Sequence, residues 1–486
     1  MLPCCRMARR HAPAVCGCFG RPPCLTRLFG SRSGQLRTAT SPAADAAPTL
    51  LDLAKGHPDP SLLPRAVLAE ACAQAAREFA GGSTEGLRYG SRPNGSDEFL
   101  RELADFIGRQ CAGEAPARAA DGLLLTNGVS HGLELALSVF ARPGDAVLVE
   151  APSYFLAVGI FEAHGLEVVP VPTDAQGLSV DDVEGVLDAR RPGSRPVRFL
   201  YTVPAGHNPT GSSLPAERRR RLVDVARRRG LLILADEVYH MLDWHHPRGE
   251  RPPRMVCFDE AYVGIPPSCA PGCSTDDAPV QMLAGEDDKA YACPSEVGDA
   301  DVVTPSIGGT AEPVVLSVSS FTKILAPGLR VGWIEAAPAL IERLAKAGWL
   351  ISGGCSATFA ADAVLKHALR SRGADRALAS LVAEFSSRSA RLVAALEGAG
   401  LPPLVRPRGG YFVWVPLPSD ARKVLDIAKA RHGVNFMPGA RCDVSDNPSS
   451  ARSARLCFAW LPPEELEEGV RRLAQAVQDA GVEGPS

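Results

Sequence analysis

Short apolar runs closed by turn residues alternate along this chain with longer segments in which apolar residues recur every three or four positions. From about Glu98 to Ala336 the alternation repeats, and it predicts buried parallel strands joined by amphipathic helices. LLLT from Leu123, AVLVEA from Ala146, RFLYTVP from Arg198, LLILA from Leu231 and VVLSVSSF from Val314 are the predicted strands, and polar or turn-forming residues follow each. After Gly128, the residues Leu133, Leu137 and Phe140 fall on one helical face, and Pro215 and Gly230 bracket a second helix. Helical spacing returns from Leu381 to Gly400, strands are predicted near Tyr411 and Arg455, and a last helix starts at Pro463. The expected fold class is α/β. A large domain over residues 98–340 holds a mostly parallel, helix-covered sheet, and residues 341–486 form a smaller α+β domain on which residues 46–97 pack. A chain of 486 residues suffices for two domains and a large core.

Two regions break the pattern. Residues 1–45 carry Arg6, Arg9, Arg10, Arg21, Arg27, Arg32 and Arg37 with no acidic residue before Asp45, amid Ala, Ser, Cys, Pro and Gly. That composition is expected of a transit peptide, mitochondrial first and plastid second, with a disordered cytosolic extension as the alternative. The second region, about 245–313, is rich in Pro, Gly, Asp and Ser and is expected to be a solvated insertion. Its Cys257, Cys269, Cys273 and Cys293, near His245 and His246, lack the spacing of a zinc site, so no metal is expected. Of the fourteen cysteines, Cys4, Cys5, Cys16, Cys18 and Cys24 precede Asp45, and the rest show no disulfide framework.

A net charge of −3 with interspersed signs leaves no nucleic-acid footprint, and Arg218 to Arg221 read as the solvated face of a helix. The chain has no long uncharged apolar run of the kind that spans a membrane, and neither a G-x-G-x-x-G after a strand nor a G-K-[ST] loop.

Candidate chemistry collects at the carboxyl ends of the predicted strands, where open α/β sheets bind ligands. Lys323 lies just past VVLSVSSF, with Ser320 three residues before it, Thr322 beside it and Arg330 seven after. A lysine so placed suits an aldehyde cofactor that carries a phosphate: the amine forms a Schiff base while hydroxyls and guanidinium hold the phosphate. A lone S-x-x-K reads more readily as a surface lysine that ends a strand, so the neighbouring strands decide. LLILADEVY ends on Asp236, Glu237 and Tyr239, and RFLYTVPAGHNPTG ends on the turn Asn208-Pro209-Thr210-Gly211. In LLLTNGVSH, free N–H groups at the helix start near Val129, Ser130 and His131 make an anion site, the His131 ring itself being a cap or solvent contact.

In this order, N-P-T-G, D-E-V-Y and S-F-T-K resemble the class I/II aminotransferases, over roughly residues 51–474 apart from the insertion. The resemblance implies the pyridoxal-phosphate (PLP) dependent transferase fold type I, with a seven-stranded sheet in the large domain and PLP as cofactor. It implies that Lys323 is the cofactor lysine and Asp236 the carboxylate that keeps the pyridine nitrogen charged, which makes the ring an electron sink. Tyr239 and Asn208 then hydrogen-bond the ring's 3-oxygen, and Tyr154 stacks on the pyridine face. Ser320, Thr322 and Arg330, with Val129, Ser130 and His131, hold the phosphate. Arg455 in SARLCFAWL binds the substrate's α-carboxylate, while Gly56 in AKGHPDPSLLP and Asn208 face the substrate. Tyr89 in LRYGSRPNG reaches the neighbouring subunit's phosphate site.

A homodimer that passes an amino group from an L-amino acid to a 2-oxo acid, 2-oxoglutarate foremost, by ping-pong kinetics is what the resemblance implies. The run TNGVSHGLELAL, the form S-F-T-K-I-L-A-P-G-L-R and Ser352 to Gly354 look most like the 2-aminoadipate and kynurenine branch, although Cys355-Ser356 stands where relatives carry Asn-Pro. An acidic substrate side chain needs a second cation, for which Arg92 and Arg441 are candidates. The alternatives are a lyase or decarboxylase of the same fold, and a non-catalytic binding or regulatory protein built on it.

Overall fold

The β-branched and apolar runs become strands because their side chains pack on a pleated, buried surface, and Gly, Pro and polar residues end them. The computed structural model describes residues 49–89, 92–246, 251–264, 312–353, 358–445 and 447–482. The expected transit segment, most of the 245–313 region with Cys269, Cys273 and Cys293, and Cys355-Ser356 lie outside the described residues.

Strands among the described residues are, in chain order, β1 (Leu51–Asp52), β2 (Leu123–Thr126), β3 (Ala146–Ala151), β4 (Glu167–Asp174), β5 (Gly177–Leu178), β6 (Val197–Thr202), β7 (Leu232–Asp236), β8 (Val315–Ser320), β9 (Gly332–Ala336), β10 (Phe412–Pro416), β11 (Val434–Asn435), β12 (Met437–Pro438) and β13 (Ser453–Cys457). Eight of them form one sheet in the order β2-β9-β8-β7-β6-β3-β4-β5. From β8 to β4 neighbouring strands are parallel, β9 is antiparallel to both of its neighbours, and β5 closes the edge antiparallel to β4. The sheet thus has one strand more than the seven expected. The addition, β5, is two residues long and too short to leave a period in the sequence.

The strands β10, β13 and β12 make a separate antiparallel sheet, and β1 pairs in parallel with β11. Helices Gly373–Gly398 and Pro463–Val482 pack on one another beside these strands. Among the described residues, no helix is long and apolar enough to cross a membrane.

Two expectations change. Arg218 to Arg221 do lie on the helix Ala216–Arg229, but Arg219 is only 1% exposed. It donates to the carbonyls of Leu214 at 3.0 Å, Pro253 at 2.8 Å and Pro204 at 2.7 Å, and stands 3.6 Å from Glu237. Four arginines in a row wrap around a helix, so one of them must face the sheet. The described start of the supposed solvated insertion is also internal: Arg251, Arg254, Met255, Val256, Asp259 and Tyr262 are all buried.

These residues join a closed ionic cluster. Arg254 pairs with Glu335 at 3.2 Å, Tyr262 Oη donates to Glu335 at 2.6 Å, and Glu114 accepts from His240 at 2.9 Å and from the Arg254 backbone at 2.9 Å. Burial works against the His240 charge, but Glu114 outweighs it and lifts the imidazole to about 9. Cys111, Glu114 and His240 hold three potential metal-ligand atoms within 4.8 Å of one another. Arg251 and Arg254 stand 3.4 and 3.7 Å from the same Glu114 carboxylate, so cations already satisfy it.

Arg219→Met is expected to destabilise the protein by about 3–5 kcal/mol, because three carbonyls and Glu237 lose a buried partner. Arg220→Met, on the solvated face, should stay within about 0.5 kcal/mol of the parent. Urea unfolding of the two variants measures the difference.

Candidate active site

Asp236 is the last residue of β7 and Lys323 follows the end of β8, the strand paired beside it with Asp236 opposite Val318. Both side chains therefore leave the same edge of the sheet. Asp236 is buried; its Oδ2 accepts the Tyr201 hydroxyl at 3.0 Å, and its Oδ1 is buried with no hydrogen-bond partner. Burial raises this carboxyl to about 6, against the opposing effects of the Tyr201 hydroxyl, the Val238 backbone N–H and the Lys323 charge. Burial also lowers the Lys323 amine to about 8, while Cys457 and Asp236 pull it back up. Lys323 Nζ donates to the Gly56 carbonyl at 2.9 Å, and the Lys323 carbonyl accepts the Tyr411 hydroxyl at 2.8 Å. The result is an amine and a carboxylate within each other's field, with one oxygen free to take a donor.

The candidate anion cradle forms beside them. Helix Val129–Phe140 starts at Gly128, whose φ of +90° and lack of a side chain bring the first turn against Arg330; a Cβ there would stand 2.8 Å from Arg330 Nη2. Arg330 itself has a left-handed backbone at φ 52° and donates to the Asn127 carbonyl at 3.0 Å. Ser320 and Thr322 hydroxyls lie 2.8 Å apart, and Thr322 Oγ1 accepts from Arg330 at 3.4 Å. Val129 and Ser130 occupy the first turn with no side-chain cap, so their N–H groups point out of the helix start. His131 Nδ1 accepts the Asn127 N–H at 2.9 Å, and its ring meets Trp349 edge-on at 4.7 Å. Burial lowers its pKa, which keeps the imidazole neutral and leaves it a local cap.

The second half of the site comes from β13 and the N-terminal segment. Arg455, buried at the middle of β13, donates through Nη1 to Asn208 Oδ1 at 3.0 Å and through Nη2 to the Ala54 carbonyl at 2.7 Å. Its guanidinium lies 4.2 Å from the Phe412 ring centroid, and its Nε is buried without a partner. Gly56 fits into this corner because a Cβ would stand 2.9 Å from Phe412 Cζ. Tyr154 caps the helix Phe155–Ala163; burial and then the Asp236 charge raise its phenol to about 12, with Arg455 opposing. Burial holds the Tyr239 phenol well above its ordinary value, and its ring lies 5.3 Å from Tyr411 and 6.2 Å from Phe412.

Of the expected residues, Lys323, Asp236, Tyr239, Asn208, Tyr154, Arg455 and Gly56 converge, and Ser320, Thr322, Arg330 and the 129–131 turn adjoin them. Tyr89 does not converge with them within one chain: it is 84% exposed against Gly353. Arg92 is also elsewhere, bound to Asp97 at 2.6 Å and the Ala120 carbonyl at 3.0 Å. Tyr201 and Tyr411, which steady Asp236 and Lys323, lie in segments that the sequence reading singled out, RFLYTVP and the glycine turn and aromatic strand PRGGYFVWVPLP, without a role for either tyrosine. Their signal is a tyrosine within an apolar strand segment, where a buried hydroxyl must find a partner.

The sequence profile described as aminotransferase class I and II matches residues 48–263 and 253–473. The chain belongs to this family. It is 28% identical to the 2-aminoadipate transaminase of Thermus thermophilus over 94% of this chain and 98% of that one. It is 26% identical to the bovine (Bos taurus) kynurenine/α-aminoadipate aminotransferase, mitochondrial, over 75% of this chain and 76% of that one. The crystal structure of the α-aminoadipate aminotransferase from Thermus thermophilus, complexed with N-(5'-phosphopyridoxyl)-L-leucine, superposes with a TM-score of 0.66 at 26% identity, covering 89% of this chain and 93% of that one. This aminotransferase is a PLP-dependent enzyme of fold type I.

The geometry fits the cofactor: Asp236 Oδ1 is an orphaned buried acceptor for a ring N–H, Lys323 supplies an amine of lowered pKa, and Gly128 opens a turn beside Arg330 for a phosphate. Bound PLP supplies an electron sink for negative charge developing at the substrate's Cα.

Two pH effects follow. An amine must be neutral to attack a carbonyl, so the rate at which apoprotein takes up added PLP should rise with pH and level off above about 8, as read from visible absorbance. Asp236, raised from 3.8 to about 6, contributes stability that is fully present below pH 3.8 and lost as pH rises through about 6. Asp236→Asn apoprotein should therefore exceed the parent in urea stability at pH 8 by on the order of 3 kcal/mol, and the gap should close by about pH 4.

Proposed function

We propose that this aminotransferase passes the amino group of an L-amino acid to a 2-oxo acid, 2-oxoglutarate foremost, by ping-pong kinetics, with 2-aminoadipate among its donors. The observation that carries the reading is the amine of Lys323 within the field of Asp236, which keeps one unpartnered oxygen, with Arg455 acting on both Lys323 and Tyr154. Arg455 takes the substrate's α-carboxylate, since its guanidinium is held from behind by Ala54 and Asn208 and its planar fork matches a carboxylate. Lys323 Nζ is the base that takes the proton from the substrate's Cα, and it returns a proton there in the reverse half-reaction. Asp236 holds the charge of the ring nitrogen, Tyr239 and Asn208 serve the 3-oxygen, and Tyr154 covers the ring face. The helix start at Val129 to His131, with Ser320, Thr322 and Arg330, carries the phosphate.

The functional unit is a homodimer in this reading. Tyr89, Leu87, Ile351 and Phe359 are exposed apolar side chains on neighbouring segments, which a second copy would cover. Residues 98–340 act as the cofactor domain and 341–486 as the small domain. The arginine-rich segment 1–45 directs the protein to mitochondria, an address that the bovine relative's name shares.

A panel of L-amino acids against 2-oxoglutarate, read by 2-oxo acid formation, tests the activity; a holoenzyme that never yields the pyridoxamine form of its cofactor would falsify amino transfer. Lys323→Ala should lower turnover by about 10²–10⁴-fold. Arg455→Lys keeps the charge but loses the fork, and kcat/KM should fall roughly 10–100-fold, mainly through KM.

A further inference from the structure

Two buried ionisable side chains behind the Asn208 turn have no part in the site described above. Glu150 interrupts the otherwise apolar β3 and is fully buried; its Oε1 accepts the Thr202 hydroxyl at 2.8 Å and its Oε2 the Val203 N–H at 2.8 Å. His207 is 1% exposed, and its Nε2, without an aligned hydrogen bond of its own, stands 3.0 Å from Glu150 Oε2. A carboxylate oxygen and a bare ring nitrogen would repel at that distance, so Nε2 carries a hydrogen. The other ring nitrogen is an acceptor. Nδ1 takes the Thr210 N–H at 3.4 Å and lies 2.8 Å from the Thr210 hydroxyl, which is itself 2.8 Å from the Ser212 hydroxyl.

The backbone closes the same ring of contacts. His207 donates its N–H to the Ser212 carbonyl at 2.8 Å and accepts the Gly211 N–H at 2.7 Å, while the Gly206 N–H reaches Ser213 Oγ at 3.0 Å. Gly211, at φ 73°, lets the turn lie on β10, where a Cβ would stand 2.7 Å from the Phe412 carbonyl. Asn208 follows His207 directly, and its Oδ1 accepts from Arg455 at 3.0 Å, which leaves its amide hydrogens to donate. Burying a carboxylate is unfavourable unless its lone pairs are filled, and here all three neighbours belong to residues 202–207, the segment that leads into this turn. An apolar residue at position 150 would suffice for packing. The carboxylate adds direction.

We propose that Glu150 and His207 are positioning residues: the pair fixes the direction in which Asn208 presents its amide hydrogens to the 3-oxygen of the cofactor ring. This rests on the reading of Asn208 under the proposed function and adds what holds that residue in place. Neither side chain touches substrate or cofactor; both act through Asn208.

The test reads the pH midpoint of the visible absorbance change of holoenzyme, which reports the proton shared between the Lys323 nitrogen and the ring's 3-oxygen. A donor to that oxygen draws off its negative charge, so loss of the donor holds the proton more tightly and moves the midpoint up. Glu150→Met and His207→Leu should each raise it by about one pH unit, in the same direction as Asn208→Ala. Glu150→Gln keeps an acceptor for both Val203 and His207 and should stay within about 0.3 unit of the parent. Should the first two not fold, His207→Asn, which keeps an acceptor for Thr210 and loses the reach to Glu150, should give the same rise. The double variant Asn208→Ala, His207→Leu (or His207→Asn) should shift no further than Asn208→Ala alone, because His207 acts through Asn208. An Asn208→Ala shift with none in the His207 and Glu150→Met variants, or a further shift in the double variant, overturns the positioning role and leaves the reading of Asn208 standing. If Asn208→Ala moves nothing, both fall. A holoenzyme that gives the expected shifts and never yields the pyridoxamine form refutes amino transfer and not the positioning.

Discussion

Two opposite charges desolvated at the ends of adjacent strands govern this active site. Burial pushes Asp236 and Lys323 toward their neutral forms; Tyr201, the Val238 backbone and then Lys323 draw the carboxyl back, and Cys457 and then Asp236 draw the amine back. Such a pair is costly without further hydrogen bonds, and the chain supplies them asymmetrically. Tyr201 satisfies one Asp236 oxygen and leaves the other bare, while Lys323 rests on a backbone carbonyl that a ligand can replace. The bare Asp236 oxygen suits a cofactor that carries a positive ring nitrogen. A carboxylate poised near 6 by burial becomes fully ionised beside such a charge.

The half of the site around Arg455 depends on a different constraint, the meeting of three chain segments remote in sequence. Arg455 from β13, Asn208 from the turn after β6 and Ala54 from the N-terminal segment hold one another in place, with Phe412 under the guanidinium. None of these would hold the arginine fork by itself. Arg219 extends the arrangement, since it grips the Pro204 carbonyl at the root of the turn that presents Asn208. A buried guanidinium thus steadies the turn whose Asn208 accepts from Arg455.

Behind the sheet, the ionic cluster of Glu114, His240, Arg254, Glu335 and Tyr262 ties the segment after β7 to β9. Met255 donates its N–H to Glu237 at 3.0 Å, so the residue next to Asp236 is anchored from this side. Charged groups here replace what an apolar core would do, and their multiple hydrogen bonds fix directions that apolar packing does not.

The strands β2, β3, β6, β7, β8, β10 and β13, the helices Val129–Phe140 and Ala216–Arg229, and the order of N-P-T-G, D-E-V-Y and S-F-T-K were legible in the chain. Periodicity and turn chemistry are local, and an open parallel sheet gathers its strand ends on one edge whatever its loops do. The resemblance that those motifs carry then named Lys323, Asp236, Asn208 and Arg455. Strand β5, the burial of Arg219, the inward fold of Arg251 to Gly264 and the tyrosines that hold Asp236 and Lys323 were decided only in three dimensions. Each depends on which surface a residue meets across the fold, and hydropathy along the chain does not encode the partner.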